Sequence, residues 1–419
     1  MNELIAVAFD TETTIRQTNK KFFPADPFFP DNCIVEFGCQ YLSTEGPVSP
    51  INTYRMDAVT DPSAFVENMS HIWRSEDLLI IAHNLKFDLL YLLKTNPVAT
   101  LKMIKSSAFW DTMFVEYLLT GQASKFPSLD KCSSKYGGTL KDDKVKEYWA
   151  DGVPTEKIPP DVLTAYLADD VKNTMNIYLQ QREHVKRLGM ENFVMSQMEA
   201  LIATTIMEWN GMQFDTKKAN IISRDLTKEV GLVEHSLKHL LAALCGEDPA
   251  DWNPASPTQL KVALNGGTFN ITRRVPKLDK NGDQMYWKTG ANKGTARFKD
   301  ETSKITVKTP HWYGDYFDWE DCIVSRGAQI MTGEDVLKNI QEFFLTGAVK
   351  IGSNWELFLH ELLKFRGLHK ELNTYFNGYS AVVRSWGTIH PSYQHVSTHT
   401  GRLSCTSPNL QNVTKKDKK

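Results

Sequence analysis

The sequence predicts an α/β domain, followed by a mainly helical region and then a short β-containing segment. Two short apolar runs, LIAVAF (4–9) and LLIIA (78–82), have the length typical of buried strands. The segments that follow them have helical spacing and begin at Asp or Pro, residues that favour helix starts. From residue 191 to about 245 the pattern is helical, with no strand signal between the helices. We therefore predict three parts, at residues 1–190, 191–385 and 386–419.

Composition and charge limit the classes of protein that fit. A chain of 419 residues with 41% hydrophobic residues is expected to form two or three globular domains. A net charge of −2 excludes a uniformly basic protein that coats a polyanion, but it allows a local basic groove. The six cysteines lack metal-site spacing, which argues against structural zinc and a disulfide framework. No signal peptide or membrane span is predicted, so we expect a cytoplasmic, non-secreted protein.

Helical patterns account for most of the remaining chain. In the first part we predict helices at 88–94, 111–121 and 159–189. In the second part we predict them at 191–211 and onward to about 245, from a Ser-Pro start at 256, at 334–347 and at 354–376. Residues 265–333 break this pattern and are interpreted as an inserted loop or small hairpin. The last part is predicted to contain strands joined by turns.

The LDKNGD segment (278–283) has acidic or amide residues at alternate positions, as a calcium loop does. The calcium motif also requires Gly at the sixth position and Glu at the twelfth, where this chain has Gln284 and Gly290. We therefore predict a tight hairpin turn on Asn281-Gly282.

Three groups of carboxylates stand at positions where a strand or helix would hold them. Asp10 and Glu12 follow the first apolar run, and a two-residue period projects both to one face of a strand. Asp88 lies in the first turn of a helix for which Asn84 is a capping candidate. Each pattern alone also fits an ordinary solvated or capping acid.

The third group is the AYLADDVKNT segment. Tyr166 and Asp170 are four residues apart and therefore share one face of a helix, whereas Asp169 points away from it and is expected to be solvated. The four acids Asp10, Glu12, Asp88 and Asp170 offer only hard oxygen ligands. Such ligands suit Mg²⁺ or Mn²⁺, and two such ions can clamp an in-line phosphoryl displacement. Tyr166 would orient the attacking water by a hydrogen bond, because a neutral phenol is a poor base at pH 7.

The order D-x-E, N-x-x-x-D and Y-x-x-x-D resembles the DEDDy 3′–5′ exonucleases. The segments DTMFVEYLL and SLDKCSSKYGG resemble the proofreading domain of family A DNA polymerases, the polymerase I type. This resemblance implies a ribonuclease H-like domain with a mixed sheet flanked by helices. It implies metal ligands at Asp10, Glu12, Asp88 and Asp170, a water-positioning role for Tyr166, and Thr11 and Asn84 beside the terminal nucleotide. Asp111 matches a family position that caps a helix, and we predict that structural role for it.

The second half of the chain resembles later segments of the same polymerases. IMEWNGMQFD (206–215) resembles the palm entry, and NPASPTQL and LLKFRGLHKELNTYFNGY (362–379) resemble parts of the helical thumb. IHPSYQHVSTHTGRLSCTSPNLQN (389–412) resembles the start of the palm and is the strongest match. The resemblance implies that DNA, a primer–template duplex or a single-stranded 3′ end, is the partner. The implied DNA contacts are Arg402, Asn409, Gln411 and Asn412, with Lys370, Thr374 and Tyr375 as weaker candidates.

In that family the two catalytic palm aspartates and the fingers lie downstream of P-N-L-Q-N. We therefore expect exonuclease activity from this chain, and nucleotide addition only with the remaining palm and fingers. Two alternatives stay open. One is an RNA exonuclease of the ribonuclease D type, which shares the acids and the tyrosine. The other is a primer–template binding module that a second polymerase chain completes.

Overall fold

The computed structural model describes residues 4–48, 50–55, 78–139, 144–245, 252–289, 293–307, 332–345 and 353–413. These residues fold into two compact units. Unit 1 comprises Met1–Phe214 and Ala381–Lys419, and unit 2 comprises Asp215–Ser380. The predicted three-part division is a different partition of the chain, and it stays a prediction.

A six-stranded mixed sheet forms the centre of unit 1. Its strands are β1 (Leu4–Thr13), β2 (Ile34–Ser43), β3 (Gly46–Pro47), β4 (Asn52–Arg55), β5 (Leu79–Ala82) and β6 (Ala108–Asp111). They lie in the order β3-β2-β1-β5-β6, and β4 also pairs with β2. β1 is antiparallel to β2 and parallel to β5, and β5 is parallel to β6. The α/β fold predicted for this part of the chain is confirmed.

Seven α-helices among the described residues of unit 1 connect or cover these strands. They are α1 (Leu85–Thr95), α2 (Pro97–Ser106), α3 (Thr112–Leu119), α4 (Leu129–Lys135), α5 (Lys144–Ala150), α6 (Pro160–Arg187) and α7 (Glu191–Asn210). The predicted helices at 88–94, 159–189 and 191–211 correspond to α1, α6 and α7. The predicted helix at 111–121 begins one residue later, because Asp111 is the last residue of β6.

The first strand is longer than the apolar run that predicted it. Pairing with β2 continues from Phe9 through Thr13, so Asp10 and Glu12 lie within the strand and not after it. β2 has no counterpart among the predicted elements, because Glu36, Gly38 and Gln40 interrupt its apolar pattern. All three are nevertheless buried in the sheet.

The end of the described chain also belongs to unit 1. It contains β10 (Thr388–Ile389), β11 (Ser392–Gln394) and β12 (Ser404–Thr406). β10 pairs antiparallel with β7 (Met212–Gln213), which follows α7, and β11 pairs antiparallel with β12. Lys86 of α1 forms a buried ion pair with Glu208 of α7, with 2.7 Å between Lys86 Nζ and Glu208 Oε1. The backbone carbonyl of Tyr393 in β11 accepts a second hydrogen bond from Lys86, and its backbone N–H donates to Glu208. The strands predicted near the chain end are confirmed.

Unit 2 is mainly helical and has its own core. Its elements are α8 (Thr216–Cys245), α9 (Pro257–Asn265), β8 (Gly267–Pro276), β9 (Phe298–Val307), α10 (Glu334–Leu345) and α11 (Ser353–Lys370). α11 continues through a π-helical stretch, Glu371–Asn377, and a last turn, Gly378–Ser380. The core includes the fully buried side chains of Trp252, Phe358 and Phe365.

Two local predictions for unit 2 are confirmed. Ser256 caps α9, because its side chain accepts a hydrogen bond from the Gln259 backbone N–H. The described residues of the predicted insertion form one long hairpin, in which β8 pairs with β9 in unbroken register. The predicted turn at Asn281-Gly282 is present, with Gly282 at φ 91° and the Asp279 N–H donating to the Asp283 carbonyl. Residues 308–331 of the insertion lie outside the described residues.

Candidate active site

The central strand β1 places two acids on one face of the sheet. Asp10 pairs with Gly38 of β2, and Glu12 pairs with Glu36. Residues two apart in a strand project to the same side, and so do residues directly opposite each other in an antiparallel pair. The carboxylates of Asp10 and Glu12 therefore share the face of the sheet to which Gly38 and Glu36 also belong.

Helix α6 covers this face at very close range, because Gly38 has no side chain. A Cβ atom at Gly38 would lie 2.9 Å from Leu167 Cγ and 3.1 Å from Val171 Cγ2 of α6. Asp170 lies next to Val171 and one helical turn after Leu167 and Tyr166. The close packing of helix on strand therefore brings Asp170 towards Asp10, the residue that faces Gly38 across the ladder.

Three of the four predicted metal ligands meet in the structure. Carboxylate oxygens of Asp10, Glu12 and Asp170 all lie within 4.8 Å of one another. Glu12 and Asp170 are buried, and Asp10 is partly exposed. Three carboxylates at this spacing repel one another unless a cation lies between them, and their hard oxygen ligands suit Mg²⁺ or Mn²⁺. We call these three residues the acid cluster.

Asp88, the fourth predicted ligand, is not a member of the acid cluster. It lies in the first turn of α1 and is only 2% exposed. Its Oδ1 accepts a hydrogen bond of 2.6 Å from the hydroxyl of Thr11, the β1 residue between Asp10 and Glu12. Burial raises the pKa of Asp88 to about 7, although the bond from Thr11 acts in the opposite direction. Thr11 thus orients a carboxyl group that gains or loses its proton near neutral pH.

The loop before α1 differs from its prediction. Asn84 adopts a left-handed conformation, with φ 62° and ψ 46°, and its side chain does not cap the helix. Instead, Asp111 of β6 accepts hydrogen bonds from the backbone N–H groups of Asn84 and Leu85. The prediction that the Asn84 side chain caps α1 was wrong. The backbone N–H groups at the start of this helix are bonded instead by the carboxylate of Asp111 in β6.

Asp111 has the structural role that the sequence predicts. Its Oδ1 also accepts from the backbone N–H groups of Met113 and Phe114, so it caps α3. Burial raises its pKa to about 6, while these backbone hydrogen bonds lower it. All four of these donors are backbone N–H groups, two in α3, one in the first residue of α1 and one in Asn84 before it.

Tyr166 lies one turn of α6 before Asp170. It lines a cleft of about 270 Å³ whose wall also includes Lys144, Asp161 and Asp169. Its ring packs edge-on against Trp149, with 6.0 Å between the ring centroids. Asp169 is half-buried in this wall and not fully solvated as predicted, because α5 packs beside this part of α6.

Glu36 is a buried acid beside the cluster that sequence reasoning missed. It is fully buried and accepts a hydrogen bond from the hydroxyl of Thr164 on α6. Its only described cationic neighbour is Arg55, with 3.9 Å between Arg55 NH1 and Glu36 Oε2. Burial raises the pKa of Glu36. A charged residue inside the otherwise apolar run IVEFGC was the signal in the sequence.

Thr11, predicted to lie beside the terminal nucleotide, is buried at 6% exposed, whereas the predicted DNA contacts near the chain end lie at the surface. Arg402, Asn409, Gln411 and Asn412 are all exposed. The Arg402 carbonyl accepts a hydrogen bond from the Thr398 hydroxyl, and the Asn409 side chain accepts one from the Gln411 N–H. These local bonds hold the backbone of the segment while its polar side chains face outward.

The predicted contacts of unit 2 are less uniform. Lys370 and Thr374 are exposed, whereas Tyr375 is 9% exposed and packs edge-on against Tyr379. Lys370 lines a cleft of about 220 Å³ together with Arg366 and His369. This cleft lies beside the beginning of α9.

Two protein families match separate parts of the chain. The family described as 3′-5′ exonuclease matches residues 1–186, and DNA polymerase family A matches residues 326–419. None of the described helices is long and apolar enough to cross a membrane.

Three curated relatives align with most of the chain. The DNA polymerase of Bacillus phage SP01 is 24% identical over 361 residues, which are 84% of this chain and 36% of the relative. DNA polymerase I of Rhizobium leguminosarum is 24% identical over 343 residues, covering 81% and 26% of the two chains. DNA polymerase I of Treponema pallidum (strain Nichols) is 22% identical over 361 residues, covering 85% and 29%. The chain thus spans about a third or less of the length of these relatives.

A solved structure shows the same fold. It is the POL domain of Pol1 from M. smegmatis in complex with a DNA primer-template and dNTP. It superimposes with a TM-score of 0.59 at 14% sequence identity, covering 98% of this chain and 53% of that chain.

Proposed function

We propose that this chain is a metal-dependent 3′–5′ exonuclease that acts on DNA, because its first 186 residues match the 3′-5′ exonuclease family and the relatives it aligns with are DNA polymerases. The observation that carries this proposal is the acid cluster. Carboxylates distant in sequence lie within 4.8 Å of one another at the positions of the D-x-E and Y-x-x-x-D motifs.

The acid cluster fits a divalent cation by the chemistry of its donors. Asp10, Glu12 and Asp170 would hold one Mg²⁺ or Mn²⁺, and Asp88 would help to hold a second. Such ions lower the pKa of an attacking water and neutralise charge on the leaving 3′ oxygen. The fold fixes the positions of these ligands. Strand β1 sets the spacing of Asp10 and Glu12, and α6, which packs against Gly38, positions Asp170 near them.

Two further side chains would serve the same reaction. Tyr166 would orient the attacking water through its hydroxyl, one helical turn from Asp170. Thr11 would hold the Asp88 carboxyl by its 2.6 Å hydrogen bond. Since the pKa of Asp88 lies near 7 without a cation, bound metal would displace a proton from it.

We also propose that this exonuclease proofreads for a polymerase. The segment with Arg402, Asn409, Gln411 and Asn412 would contact a primer–template duplex, with Lys370 and Thr374 on unit 2. Asn84 would lie beside the terminal nucleotide. Arg, Asn and Gln can reach minor-groove acceptors that every base pair presents, so they detect pairing without reading sequence. The exposure of these side chains supports the proposal.

The test is digestion of a 5′-labelled single-stranded DNA oligonucleotide by the whole chain in Mg²⁺. We expect a ladder that shortens from the 3′ end and disappears in EDTA. The Asp10→Ala/Glu12→Ala double variant, purified in parallel, controls for a contaminating nuclease. A ladder of equal rate from the double variant would reject the proposal. An RNA oligonucleotide of the same sequence tests the ribonuclease alternative, which predicts faster digestion of RNA than of DNA.

A further inference from the structure

The hairpin of unit 2 projects away from the core that anchors it. We call its described residues, 267–289 and 293–307, the ribbon arm. At its base Phe269 and Val307 are buried, but from Phe298 to Lys304 every residue of β9 is exposed. The ladder runs unbroken from Gly267↔Val307 to Pro276↔Phe298. Ten residues of strand extend about 33 Å, so the tip lies far from the buried base.

The ribbon arm is strongly basic. Residues 267–307 contain nine Lys or Arg and four Asp or Glu, a net charge of +5 in a chain whose total is −2. On the strands the acids face cations: Asp300 pairs with Arg274 in the ladder, and the Glu301 carboxylate is 3.3 Å from Lys299 Nζ. The strands keep a net charge of +2, and the tip, residues 277–297, has the larger share of +3.

The tip, residues 277–297, has five basic residues and two acids. One of these acids, Asp279, is engaged in the turn, where its carboxylate accepts hydrogen bonds from the backbone N–H groups of Asn281 and Asp283. Lys280, Lys288 and Lys293 are exposed. These lysines present a cationic surface that the turn geometry leaves open to solvent.

Aromatic rings accompany these cations. Tyr286 and Trp287 are 54% and 45% exposed. The Arg297 guanidinium lies 4.6 Å from the centroid of the Trp287 ring, and that of Arg274 lies 5.2 Å from the Phe298 ring. Exposed rings beside cations are typical of surfaces that bind nucleic acids. If the charges served only to prevent aggregation of an exposed strand, acidic residues would do so as well as basic ones. The positive charge of the arm therefore favours a polyanionic partner.

We propose that the ribbon arm binds the phosphate backbone of double-stranded DNA through Lys280, Lys288 and Lys293. A two-stranded ribbon is narrow enough to follow a groove of the duplex, with its lysines directed at the phosphates. The proposal rests on the proposed function only in taking DNA as the substrate. It assigns a binding surface outside the acid cluster and outside the polymerase-like segment near residue 402.

The first test is the whole chain carrying Lys280→Ala, Lys288→Ala and Lys293→Ala. Binding of a fluorescent blunt duplex is measured by anisotropy in EDTA over a series of KCl concentrations. We expect at least a tenfold loss of affinity at low salt. The slope of log affinity against log salt should fall by about 0.9 for each phosphate that the variant no longer neutralises. A matched triple variant in unit 1, Lys102→Ala/Lys105→Ala/Lys186→Ala, should keep the parent's slope.

The second test removes the tip and keeps the strands. Pro276 and Phe298 face each other in the ladder, so an Asn-Gly turn in place of residues 277–297 closes the hairpin in its native register. This variant should lose at least as much duplex affinity as the triple variant. Parent-like affinity in both variants would overturn the proposal, as expected if the arm binds a protein instead. Loss only in the tip-deleted variant would overturn the assignment to the three lysines.

The two proposals fail in different experiments. Binding in EDTA requires no catalysis, so an arm-dependent affinity can be measured even in a chain with no nuclease activity. Conversely, the triple variant should digest a short single strand at the parent's rate. If the parent chain has no nuclease activity but its duplex affinity still depends on the arm, the exonuclease proposal is rejected and the DNA-binding proposal for the arm is not.

Discussion

The acid cluster of unit 1 and the ribbon arm of unit 2 are built in opposite ways. Glu12 and Asp170 are 7% and 4% exposed and are fixed between a central strand and a long helix. The arm's lysines and rings stand in solvent on a ribbon that is buried only at its base. Hydrolysis requires atoms held to fractions of an ångström, whereas attraction to phosphates acts over several ångströms. Rigid placement is therefore needed at the first region and not at the second.

The largest effect should come from Asp170→Ala, which removes one ligand of the acid cluster. We expect the single-turnover rate of single-strand digestion to fall by about 10³-fold or more, because several kcal/mol of charge stabilisation would be lost. Duplex binding in EDTA should stay within about twofold of the parent. Asp169→Ala, the adjacent residue outside the cluster, is the control and should retain most of the rate. Equal rates for the two variants would contradict the assignment.

The next largest effect should come from Gly38→Ala, which changes the position of α6 and of Asp170 without replacing a carboxylate. The new Cβ would meet Leu167 at 2.9 Å, so α6 must move away from β2. We expect a loss of about 1–3 kcal/mol in stability and a rate about 10- to 100-fold lower.

The matched glycine is Gly231 in α8 of unit 2, where a Cβ would meet nothing within 4 Å. Gly231→Ala should stabilise unit 2 by about 0.5–1 kcal/mol and leave digestion unchanged. Thermal unfolding and single-turnover kinetics on both variants measure these effects. A parent-like rate for Gly38→Ala would show that the acid cluster tolerates displacement of α6.

Asp88→Asn should change stability through pH. The folded-state pKa of Asp88, about 7, lies above its ordinary value of 3.8, so the folded chain keeps a proton that the unfolded chain releases. The stability of the parent therefore decreases as pH rises from about 4 to about 7. The amide has no proton to lose, so in EDTA the variant should exceed the parent by about 1–3 kcal/mol at pH 8.

At pH 4 the two chains should be nearly equal, because Asp88 is then largely protonated in the folded state. Thermal or urea unfolding across this range in EDTA gives the comparison. A difference that is the same at pH 4 and pH 8 would contradict this explanation. Asp111, whose pKa is also raised, remains in both chains, and in the parent its charge adds to the raised pKa of Asp88.

The smallest effect should come from Lys370→Ala, a single exposed cation of unit 2. Duplex affinity should fall only a few-fold, and the salt slope should fall by about 1, as for one phosphate contact. Single-strand digestion should not change. Anisotropy with the same duplex provides the measurement, and an unchanged salt slope would remove Lys370 from the proposed DNA contacts.

Sequence reasoning succeeded where a local pattern determines the structure. The apolar run before Asp10, the Ser256 cap and the Asn281-Gly282 turn each act within a few residues, and all three features are present. The spacing of Tyr166 and Asp170 on one helix likewise follows from helical periodicity alone.

Sequence reasoning failed where distant residues change the local preference. β2 contains Glu36 and Gln40, which are buried only because neighbouring strands and α6 surround them. Asn84 is held by Asp111, an acid 27 positions away, and not by its own side chain. Asp88 accepts its hydrogen bond from Thr11, a residue 77 positions away, and no spacing rule indicates this contact. Such features follow from tertiary packing and have no signature in one short segment.

The buried ion pair of Lys86 and Glu208 limits how this protein can be divided or recombined. A fragment ending at residue 186, where the exonuclease family match ends, would leave Lys86 without its carboxylate and would uncover core positions now filled by Val194, Met198 and Leu201. It would also lose Thr398, whose carbonyl accepts from the hydroxyl of Tyr117. A chimaera that replaces residues 1–186 with the matching part of a relative would therefore also need α7 and β11 from that relative.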